Sequence, residues 1–90
     1  MNKCAAMEYE KLDKILNAKY KELMAQNKSS KKKQIILRDM QRLWVKFKIK
    51  HCDYMQSIYE GGSMGPMVYH KCQQDVTQQR IQQLEYYLNP

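Results

Sequence analysis

Long apolar runs are missing from this 90-residue chain. No stretch approaches the roughly 20 residues that a membrane-spanning helix needs, so a transmembrane helix is excluded. Strand-like alternation never exceeds a few residues, which argues against a sheet. There is no Gly-rich phosphate loop, because the one glycine cluster, Gly61-Gly62-Ser63-Met64-Gly65, follows a helical segment rather than a strand. Cys-x-x-Cys is absent, and with it the tight ligand pairs typical of tetrahedral zinc sites. Paired carboxylates for acid–base work are also missing: Glu8 and Glu10 are separated by one residue and face different sides of a helix. No orienting Asn or oxyanion turn accompanies a Cys–His pair, so no nucleophile is marked. These absences leave an enzyme without a site, and we assign no catalytic, metal or cofactor residue. The chain opens Met1-Asn2-Lys3-Cys4-Ala5-Ala6 with no apolar stretch behind Lys3, so no signal peptide is visible in it. A mature chain looks the same, and this observation alone fixes no compartment.

Acid is scarce. Lys and Arg number 16 against 9 Asp and Glu, a net charge of +7. The excess is local. Nine bases and one acid, Asp39, fall between Lys28 and Lys50, and the remainder has seven bases and eight acids. Such a block points to an anionic neighbour or to a solvated helix face. Seven of these bases, Lys31, Lys32, Lys33, Arg38, Arg42, Lys46 and Lys50, are candidates for a basic face, and the last four, spaced by fours, are expected on one face.

What remains is helical periodicity from end to end, in a chain short enough to be one domain, residues 1–90. Ala5, Tyr9, Leu12, Leu16, Tyr20 and Leu23 recur at threes and fours, with Asn2 as a start cap. After the polar connection Asn27–Lys33, Ser30 is suited to cap a second helix whose stripe is Leu37, Met40, Trp44, Phe47, Cys52, Met55 and Tyr59. The Gly61–Pro66 break ends it. A third stripe follows, Tyr69, Cys72, Val76, Ile81, Leu84 and Leu88, with six glutamines on its polar side. The spacing predicts an all-α, three-helix antiparallel bundle with helices near 3–26, 31–59 and 66–88. Cys52 and Cys72 flank the break at equal height, and Cys4 reaches the same end. Disulfide, metal site (with His51 and His70) and ordinary buried thiols are all open at this point. Asp13 and Asn17 share a helix face and could hydrogen-bond to Gln41 or Arg80 as a buried polar network fixing helix register. Trp44 is read as core.

Four segments, "DKILNAKYKELM", "QRLWVKFKIKHC", "YEGGSMGPM" and "CQQDVTQQRIQQLEYYL", come in the order of the motifs of one family. The chain resembles the LprI-like lysozyme-inhibitor family, small helical domains of secreted and periplasmic bacterial proteins, over nearly its whole length. The matching positions are Asp13, Leu16, Asn17 and Tyr20; Gln41 and Trp44; Gly61 and Gly62; and Cys72, Thr77, Arg80 and Leu84. One departure stands out: where the family has an Arg-Asp pair before the second-helix cysteine, this chain has Lys48 and Ile49. The resemblance implies a periplasmic or secreted location, with any signal peptide removed or upstream of Met1. An oxidising compartment then favours a Cys52–Cys72 disulfide stapling helices 2 and 3, with Cys4 left free because its family partner lies upstream. It also implies a non-enzymatic binding or inhibitory domain whose partner is a lysozyme-like hydrolase or another envelope protein. Many lysozymes are themselves basic, so a +7 chain meets them against long-range repulsion. The alternative reading is a basic module that binds anionic cell-envelope polymers or lipids. Nucleic acid is disfavoured, since no base-reading or stacking residues stand beside the charges.

Overall fold

A computed structural model describes residues 2–90, with side chains described from residue 8 onward. It contains three helices: α1 (Asn2–Gln26), α2 (Lys31–Ser57) and α3 (Gly65–Leu88). No strand occurs among the described residues. Ser30 caps α2 as its sequence predicts, its hydroxyl accepting from the Lys33 N–H at 3.2 Å. Pro66 sits in the first turn of α3, where its missing N–H costs nothing. Helix α2 ends two residues before the expected boundary. The Tyr59 N–H donates to the Gln56 carbonyl and the Gly62 N–H to the Tyr59 carbonyl, closing turns that take Tyr59 off the inward stripe.

The reversal needs one glycine. Gly61 has φ +87°, a left-handed conformation that costs an L-residue roughly 1–2 kcal/mol. At Gly62, an added Cβ would meet the Tyr59 carbonyl oxygen at 3.5 Å, an ordinary contact. Gly61→Ala should therefore cost about 1 kcal/mol, and Gly62→Ala should stay within about 0.5 kcal/mol of wild type. Urea midpoints for the two variants check this; equal losses would contradict it.

The three helices form an antiparallel bundle of 51 × 22 × 18 Å. Sequence neighbours run antiparallel, and α3 is the shared element, packed closely on both α1 and α2. The Gln26 side chain donates to the Leu88 carbonyl at 3.4 Å, so the C-terminal ends of α1 and α3 meet and those two helices run parallel. Two apolar clusters make the core. Leu16, Leu23, Ile81 and Leu84 form one, between α1 and α3, with Leu12, Tyr20, Leu37 and Leu88 around it. Cys52, Cys72 and Val76 form the other, with Met55 and Tyr69 beside it. Trp44 packs against both clusters and joins them.

Cys52 and Cys72 are disulfide-bonded, with Cα atoms 5.6 Å apart. This is the staple between α2 and α3 that the family resemblance implied. The side chain of Cys4 lies outside the described residues.

Phe47 corrects the sequence reading. It was expected on the inward stripe, and it is 56% exposed, stacked on the His51 ring at 5.3 Å. The inward row runs instead through Trp44, Lys48 and Cys52, one residue every four. Phe47 lies five residues from Cys52, a turn of about 140° at about 100° per residue, which carries it off the core. A lysine takes the buried place that hydrophobicity would have given to phenylalanine.

Thr77 is fully buried where α3 packs in the core, and its hydroxyl has no hydrogen-bond partner among the described residues. Thr77→Val keeps the shape and removes an unpaired buried hydroxyl. It should leave stability unchanged or raise it by up to about 1 kcal/mol in thermal unfolding. A loss above about 1 kcal/mol would show that the hydroxyl has a stabilising partner.

Candidate functional site

The family-type polar residues divide into an interior set and a surface set. The interior set is built on Trp44. Arg80 comes from α3 and is only 4% exposed. Its Nε and Nη2 both donate to the Gln41 Oε1, at 3.0 and 2.9 Å, and its Nη1 donates to the Gln83 Oε1 at 2.9 Å. The guanidinium carbon lies 5.7 Å from the Trp44 ring centroid. Lys48, also buried, places its ammonium 5.0 Å from the Trp44 ring and 5.0 Å from the Tyr9 ring, and donates to the Tyr9 hydroxyl. Neither cation takes part in an ion pair among the described residues. Amide oxygens, a phenol and two aromatic faces do the compensating that carboxylates usually do. Burial pulls the Arg80 guanidinium below its ordinary pKa, and Tyr87 opposes that shift. Burial, then Asp53 and Tyr9, raise the Tyr69 phenol about three turns earlier in α3. These residues tie three helices together and hold no reacting atom.

The surface set lines a shallow groove of about 320 Å³ between α1 and α2. Asp13, Asn17 and Tyr20 form one wall; Gln41 and Trp44 stand on the other, with Arg38 and Arg42 beside them. Asp13 and Asn17 do not reach Gln41 or Arg80 by a hydrogen bond. Asn17 donates to Asp13 at 3.4 Å along α1, and the Gln41 Oε1 accepts from Arg80 instead. Six of the twelve motif positions in this chain, Asp13, Leu16, Asn17, Tyr20, Gln41 and Trp44, therefore meet at one solvent-open groove, though they come from two different helices. Lys48 lines the groove floor.

The family model for the lysozyme inhibitor LprI matches residues 1–84. The chain belongs to the LprI lysozyme-inhibitor family. No curated protein and no solved structure matches it. The matched span covers all of α1 and α2 and all but the last turn of α3.

The basic row is exposed, and it does not form one face. A step of four residues advances about 40° around a helix, so the row winds. Arg38 and Arg42 border the α1–α2 groove, and Lys46 and Lys50 have moved away from it toward the far side of α2. Arg38 also pairs with Asp39 at 3.5 Å. Lys31, Lys32 and Lys33 are exposed in the first turn of α2. Among the described residues no cluster of three His, Cys, Asp or Glu side chains is placed to hold a metal, and no helix is long and apolar enough to cross a membrane. His51 lines a second, more apolar groove of about 460 Å³ between α2 and α3, with Met55, Met64 and Met67. Its methionines carry no sequence spacing that marks a site, and sequence reading missed it.

Proposed function

We propose that this chain is a non-enzymatic, periplasmic or secreted inhibitor domain that binds a lysozyme-type hydrolase through the α1–α2 groove. The observation that carries this reading is the meeting of Asp13, Asn17, Tyr20, Gln41 and Trp44 at one open groove. A purely structural set of motif residues would be buried; Asn17 is exposed, and Asp13 and Tyr20 are only partly covered. The groove floor rests on the Trp44–Arg80 set, and the staple holds α2 against α3, so the walls are pre-organised and little ordering cost falls on binding.

Charge shapes the kinetics. A basic lysozyme approaches a +7 chain against repulsion, and salt screens that repulsion over roughly 10 Å at 0.1 M. The association rate should therefore rise as salt is added. Asn17→Ala and Arg42→Ala, one from each wall, should weaken the complex at least tenfold without moving the melting temperature. Surface-immobilised lysozyme and a salt series measure both effects. Wild-type affinity in both variants would refute the groove. A steep fall of affinity with salt would favour an anionic polymer as the partner instead.

A further inference from the structure

Helix α2 carries a second surface, on the side away from the groove. Ile36, Leu43, Phe47 and Tyr54, with Ile58 at the C-cap, recur at steps of seven, four, seven and four, and each is more than half exposed, from 54% to 66%. At about 100° per residue these five fall within an arc of roughly 60°, and they run about 33 Å along the helix. Ordinary surfaces scatter single apolar side chains. A continuous ridge of five, two of them aromatic, has a different meaning. Lys46 and Lys50, the part of the basic row that has wound away from the groove, follow one edge of the ridge. The acid on that edge, Asp39, is paired with Arg38. Lys33 and His51 follow the other edge, and His51 joins the ridge to the methionine-lined groove between α2 and α3.

We infer that this ridge is a docking surface for an anionic phospholipid bilayer, on which α2 lies in the interface plane. Three features select that occupant. The ridge is convex, straight and one side chain wide, so a flat surface accepts it where a protein partner would need a matching long trough. Its edges carry lysine, and a second copy of this chain would bring lysine rows of a +7 molecule against each other. A soluble anionic polymer offers charge and no apolar phase, whereas the headgroup–acyl boundary receives both the Leu, Ile, Phe and Tyr side chains and the lysines beside them. The described helices are too polar to span the bilayer, so α2 lies on it. The α1–α2 groove then points away from the membrane and stays open to a soluble enzyme.

The test is co-sedimentation of the oxidised protein with vesicles of phosphatidylglycerol and phosphatidylethanolamine, beside vesicles of phosphatidylcholine alone. Binding to the anionic vesicles is expected, with at least tenfold weaker binding to the neutral ones. Lys46→Gln with Lys50→Gln should weaken anionic binding by roughly 30-fold, at about fivefold per lysine. Leu43→Ser with Phe47→Ser should weaken it by roughly 100-fold or more. All four positions are exposed, and circular dichroism with melting confirms that the variants are folded. No binding to anionic vesicles, equal binding to both kinds, or full binding by the Leu43–Phe47 variant overturns the inference. So does a dimer in sedimentation equilibrium that the Leu43–Phe47 variant abolishes. The same variants should inhibit lysozyme as wild type does, which separates failure of this surface from failure of the groove.

Discussion

Removing the Cys52–Cys72 bond, by reduction or by Cys52→Ala with Cys72→Ala, should lower stability by about 3 kcal/mol. The two residues are 20 apart in sequence, and closing a loop of that size removes roughly this much conformational freedom from the unfolded chain. For a domain of this length each kcal/mol moves the melting temperature by roughly 4–8 °C, so the shift should exceed about 12 °C. The effect is large because the core is small. Cys52 is fully buried, and the cluster it forms with Cys72 and Val76 has only Trp44, Met55 and Tyr69 packed around it. Helix α2 is held to α3 there and at the Arg80–Gln41 contact. Thermal unfolding by circular dichroism with and without reductant measures the shift, and unreduced peptide mapping confirms the linked pair. A shift below about 4 °C would show that apolar packing alone holds α2 in place.

Gln41→Leu should be the most damaging conservative change in the interior, at about 2–3 kcal/mol. It takes both donors of one edge of Arg80, Nε and Nη2, off their acceptor while leaving the cation buried. A buried charge deprived of its partner costs far more than the pair contributes. Arg80→Met alone should cost a similar amount by stranding the Gln41 amide. The double change should cost less than the sum of the two, because neither group is then left unpaired. Urea denaturation of the four proteins gives the coupling directly. Additive losses would mean that Gln41 and Arg80 stabilise the bundle independently, against the geometry seen.

Much of the fold was legible because helical periodicity is a direct physical record of burial. Leu16, Leu23, Ile81 and Leu84 lie on the stripes that their spacing marks, and all four are core. The Ser30 cap and the Gly61 reversal were legible for the same reason, since each answers a backbone requirement that few residues meet. Side-chain chemistry was harder to read. Lys48 and Phe47 are neighbours, and apolarity places the phenylalanine inside. The bundle buries the lysine because Tyr9 and Trp44 offer it two aromatic faces, and those rings come from different helices. No single-helix pattern carries that information. The basic row shows a related failure. Spacing by fours looks like one face over two turns, and over the four positions from Arg38 to Lys50 the drift divides it between the groove and the apolar ridge.

The groove was half legible. Asp13 and Asn17 were paired correctly along α1, and their expected bond to Gln41 is not made; the Gln41 Oε1 accepts from Arg80 of α3. The Arg80–Gln41 bond joins residues 39 positions apart on two helices, a contact that no single-helix pattern carries. The α2–α3 methionine groove left no trace in the sequence, since methionine at helical spacing reads as ordinary core.

We propose that the stapled bundle inhibits a lysozyme by occupying it. The most direct measurement is the clearance of a bacterial cell-wall suspension by lysozyme, titrated with the oxidised protein at moderate salt. The account predicts that activity falls to a plateau near one molecule of inhibitor per enzyme, and that Asn17→Ala with Arg42→Ala moves the curve to at least tenfold higher concentration. Undiminished lysozyme activity at a large excess of folded, disulfide-bonded protein would contradict it.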